Sequence, residues 1–60
     1  MERLEVQDYA RRLMEAHGTK ALVEAAEKVR QFEQQGNLQQ AQDWKEIQQA
    51  LMHLRGPSAS

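Results

Sequence analysis

His17 and His53 are the two side chains of this 60-residue chain with evident metal-binding or proton-transfer chemistry. An imidazole can ligate zinc, or exchange a proton near neutral pH. The pair is not local, however, and neither histidine belongs to an H-x-x-E-H or similar ligand spacing. Each falls in the last turn of a helical pattern that a glycine ends. A histidine there favours the partial negative charge of the helix C-terminus and can hydrogen-bond its free carbonyls. That reading is adopted for both; a metal or proton-transfer role would need a carboxylate or a second subunit to complete the site.

The other reactive groups are dispersed. Glu2, Glu5, Asp8, Glu15, Glu24, Glu27, Glu33, Asp43 and Glu46 are spread over polar faces, where solubilising, salt-bridged surface is expected. Ser58 and Ser60, the only serines, lie in the C-terminal tail, and there is no cysteine, which excludes disulfides and thiolate metal sites. The three glycines stand singly at helix ends, so no phosphate-cradling loop exists. Catalytic, cofactor-binding and metal residues are therefore not expected, and neither is a small-molecule substrate.

The elements that position these groups are helical. His17-Gly18-Thr19 and Gln35-Gly36-Asn37 divide the chain into three stretches, and Arg55-Gly56-Pro57 stops the last. Glycine tolerates the left-handed conformation past a helix end, and Thr or Asn after it can accept from the next helix's free N–H groups. The first helix is expected over 4–17, with Val6, Tyr9, Ala10, Leu13, Met14 and His17 on one face. Asp8 precedes Arg12 by four residues, the favourable order for an ion pair along a helix.

The second helix is expected over 20–35, capped by Thr19, burying Leu22, Ala25, Ala26, Val29 and Phe32 and leaving Val23 off the stripe. The third spans 38–54, capped by Asn37, with Gln40 placed to complete a capping box. Its stripe is Leu38, Ala41, Trp44, Ile47, Leu51 and Leu54, with Ala50 beside it. The glutamine-rich run from Gln31 to Gln49 keeps this apolar spacing, so it reads as solvated helix surface. Pro57 cannot continue the helix, and residues 57–60 are expected to be a disordered tail.

Connections this short imply an all-α, three-helix domain over 1–56, helices two and three forming an antiparallel hairpin with helix one packed across it. The chain is 40% hydrophobic, but it carries one Trp, one Tyr and one Phe, and alanine supplies much of the rest. A chain of this size buries only about 60% of its unfolded surface and has a marginal core. Self-association, as a homodimer or with another helical protein, is therefore expected. Met14, Val23, Phe32, Trp44, Leu51 and Met52 are the interface candidates. Trp44 is in register with the core stripe, and tryptophan is also enriched at interface centres.

The net charge of −1 and mixed signs argue against a phosphate-binding footprint. A helix-turn-helix regulator, with Lys20, Glu24, Glu27 and Lys28 on its recognition helix, is the alternative reading, and its acids would repel DNA. No apolar run suits a secretory signal or a membrane span, so a cytoplasmic protein is expected.

Phe32-Glu33-Gln34-Gln35-Gly36-Asn37-Leu38-Gln39-Gln40-Ala41 resembles the turn of a tetratricopeptide repeat, which implies shared hairpin geometry. More widely, Tyr9-Ala10, Leu13, Ala16-His17-Gly18, the alanine-rich second helix, Gly36, Ala41, Trp44, Ile47, Ala50 and Leu54-Arg55-Gly56 together resemble a family of short bacterial helical proteins of unknown function. That resemblance implies a stand-alone small protein and carries over no catalytic residue or partner.

Overall fold

Helix α1 runs from Arg3–His17, α2 from Lys20–Gln34 and α3 from Leu38–Arg55 in the computed structural model, which describes residues 3–55. These bounds match the apolar periodicity to within a residue at each end. The expected tail at 57–60 lies outside the described residues, as do Gly56 and Pro57. α2 and α3 share the largest interface, and α1 rests mainly on α3 while meeting α2 least. The fold is thus a three-helix all-α domain, a hairpin with the first helix laid across it.

Both turns depend on a glycine at positive φ. Gly18, at φ 62°, follows α1, and its N–H donates to the Met14 carbonyl at 2.7 Å, the single bond of an αL cap. Gly36, at φ 78°, closes α2 as a Schellman motif: Gly36 N–H donates to Glu33 O at 3.1 Å and Asn37 N–H to Phe32 O at 2.8 Å.

The two N-caps differ. Asn37 Oδ1 accepts the Gln40 N–H at 3.3 Å, as expected. Its own N–H is already given to Phe32, so the return half of a capping box has no donor to meet. Thr19 occupies the cap position but makes no side-chain cap bond, which corrects the expectation for it. Its backbone is helical (φ −67°, ψ −16°) rather than extended, and the first α2 donors are satisfied locally instead. Ala21 N–H donates to Gly18 O at 3.0 Å and Leu22 N–H to Thr19 O at 3.1 Å.

Val6, Ala10, Ala21, Ala25, Ile47 and Leu51 form the buried core, with Leu13, Met14, Leu22, Trp44 and Ala50 packed around it. Three alanines at the centre let the helices approach closely, and Ile47 and Leu51 are its largest fully buried side chains. The α2 stripe sits slightly rotated from the expected one: Ala21 is fully buried while Leu22 is half-buried. The ends of the other stripes are open, with Tyr9 42%, Leu38 69% and Leu54 45% exposed.

Candidate functional site

The two histidines serve different places. His17 does not hydrogen-bond the end of its own helix; its Nδ1 lies 3.0 Å from Glu24 Oε2, across the turn on α2. A carboxylate only accepts, so the ring nitrogen carries the shared proton. Both side chains are about two-fifths exposed (43% and 40%), which limits this pair to less than about 1 kcal/mol. His53 instead lines a cleft of about 370 Å³ between α1 and α3, with Gln7, Arg11, Ala50 and Leu54. Among the described residues, no group of three or more His, Asp or Glu side chains could hold a metal.

Two further ion pairs lie on exposed surface. Arg12 Nη2 and Asp8 Oδ2 are 3.2 Å apart on α1, as the spacing predicts. Lys45 Nζ and Glu33 Oε2 are 3.1 Å apart and tie α3 to α2. Sequence spacing missed this last pair and the His17–Glu24 pair. Both depend on how one helix lies against the next. The nearest clue to the His17–Glu24 pair was an acid just over one turn into α2, after a connection of two residues.

The Glu33–Lys45 bridge marks where α2 and α3 lie side by side. In an antiparallel pair, moving seven residues back on α2 and seven forward on α3 brings Ala26 opposite Met52. Leu22, Ala26 and Val29 share the Glu33 flank of α2 at helical spacing, and Gln48 and Met52 share the Lys45 flank of α3. Leu22, Ala26, Val29 and Gln48 are half-buried, whereas Met52 is 57% exposed. His17 pairs with Glu24 on a different flank of α2, and Leu22 sits at the inner edge of this stripe, packed against the buried core.

The interface candidates therefore fall into different settings. Met52 stands exposed on α3. Val23 is 60% exposed on the outer side of α2. Met14 and Trp44 are half-buried against the core, and Phe32 is half-buried towards the end of α2. Leu51 is fully buried within the chain itself, so its side chain is a core member with no surface to offer. Trp44 meets Tyr9 edge-to-face, with ring centroids 5.8 Å apart and planes at 90°, joining α3 to α1.

The exposed α2 surface mixes Lys20, Lys28 and Arg30 with Glu27 and Glu33, a near balance of charge rather than a basic stripe. Among the described residues, no helix is long and apolar enough to cross a membrane. Comparison of the chain with family models, curated proteins and solved structures gave no match.

Proposed function

We propose that this protein is a non-catalytic helical assembly module, whose hairpin seam of Leu22, Ala26, Val29 and Met52 packs against a second copy. One observation carries the reading. Met52 on α3 stays more than half exposed, and Leu22, Ala26 and Val29, which share one stripe of α2 at helical spacing, are only half-buried. An apolar strip of this kind is suited to docking an amphipathic helix face. Ala26 at the seam's centre permits close backbone approach. The net charge of −1 adds little repulsion between copies.

Sedimentation across a wide concentration range tests this directly, with Met52→Glu as the variant. Met52 is exposed, so the monomer fold survives the change. In a two-fold dimer the side chain is lost twice, at about 1 kcal/mol each, and dissociation strengthens by roughly thirtyfold. A strict monomer at millimolar concentration, or a dimer indifferent to Met52→Glu, overturns the self-association reading.

A further inference from the structure

The two flanks of α1 differ in charge. One carries Glu5, Asp8, Tyr9 and Arg12 around a small cleft, and there Asp8 already neutralises Arg12. The other presents Gln7 and Arg11 to Ala50, His53 and Leu54 of α3 across the cleft of about 370 Å³. Among the described residues, no carboxylate lies within ion-pairing distance of Arg11. Glu46, one turn before Ala50 on α3, does not line this cleft.

We propose that the α1–α3 cleft binds a small amphiphilic monocarboxylate, its head on Arg11 and its hydrocarbon body along Ala50 and Leu54. The planar guanidinium offers two parallel N–H donors that match a carboxylate. Gln7 and His53 also line the cleft, and their amide and ring N–H groups are donors that a carboxylate can use. Leu54, 45% exposed, leaves apolar surface for the body of the ligand. The volume falls at the lower end of the roughly 300–1,000 Å³ of small-molecule sites, which fits a short chain rather than a large cofactor. Spacing along the chain gave no sign of such a site, because it exists only where α1 crosses the C-terminal half of α3.

Octanoate is the probe, followed by amide chemical shifts of the full chain, with 1-octanol as the uncharged comparator of equal chain length. Saturable shifts at Gln7, Arg11, Ala50, His53 and Leu54 are expected, and binding at least about tenfold weaker for 1-octanol and for Arg11→Gln. Arg11 is exposed, so a well-dispersed spectrum of Arg11→Gln verifies that its fold is intact. Met52→Glu is expected to leave octanoate binding unchanged, which separates this site from the self-association seam. Non-saturating shifts, equal binding of 1-octanol, undiminished binding to Arg11→Gln, or shifts centred on Leu22, Val29 and Met52 would each overturn the proposal.

Discussion

Leu51→Ala tests whether so thin a core is held by its two large members. Leu51 is fully buried beside Ile47, among alanines that have no spare side-chain length to fill a void. Removing such a leucine costs about 2–5 kcal/mol, from lost transfer energy and the cavity left behind. A domain of this length has only about 3–9 kcal/mol of stability in total. Unfolding entropy of about 2.1 cal/mol/K per residue gives about 0.13 kcal/mol/K for the chain, so a loss of about 3 kcal/mol lowers Tm by about 24 °C. Thermal unfolding followed by circular dichroism at several protein concentrations measures this, since an associating chain also gains stability from mass action. Should Leu51→Ala fail to fold, Ile47→Val gives a milder reading, about 1 kcal/mol and about 8 °C. Leu54→Ala, on the same helix but 45% exposed, is the comparator and should lose about 1 kcal/mol or less. Equal losses for Leu51→Ala and Leu54→Ala would refute the placement of the core.

The turns and contacts yield further expectations. Asn37→Ala removes a formed cap bond and should cost about 1 kcal/mol, whereas Thr19→Ala, whose side chain caps nothing, should cost less than about 0.5 kcal/mol in denaturant unfolding. Ala25→Leu adds three heavy atoms inside the core where only a methyl fits, and should destabilise by about 1–3 kcal/mol or more in the same assay. A double-mutant cycle on Tyr9 and Trp44, each changed to Leu, should return a coupling of about 0.5–1.5 kcal/mol; zero coupling would mean that the edge-to-face contact contributes nothing.

Helix number, boundaries and the hairpin were legible because glycine punctuation and 3.6-residue periodicity are local signals. The same periodicity was less able to say which stripe members are innermost. Ala21 displaced Leu22 from the centre because the helices meet where side chains are smallest, and an apolarity ranking favours the larger residue. Tyr9, Leu38 and Leu54 continue the stripes by spacing but run past the region where a neighbouring helix covers them. Thr19 shows the limit of cap signatures: the residue type was right, but a two-residue connection kept its backbone helical. The partners of His17 and Lys45, the seam and the Arg11 cleft all depend on interhelical register, which a single chain of letters does not encode locally.

Because α1 rests chiefly on α3, its second neighbour in the chain, while touching α2 least, the short Gly18 connection works as a tether more than as a weld. When thermal fluctuation lifts α1 away, Ile47 and Leu51 lose their cover together, so peeling at the amino-terminal end and melting of the centre become one event rather than two.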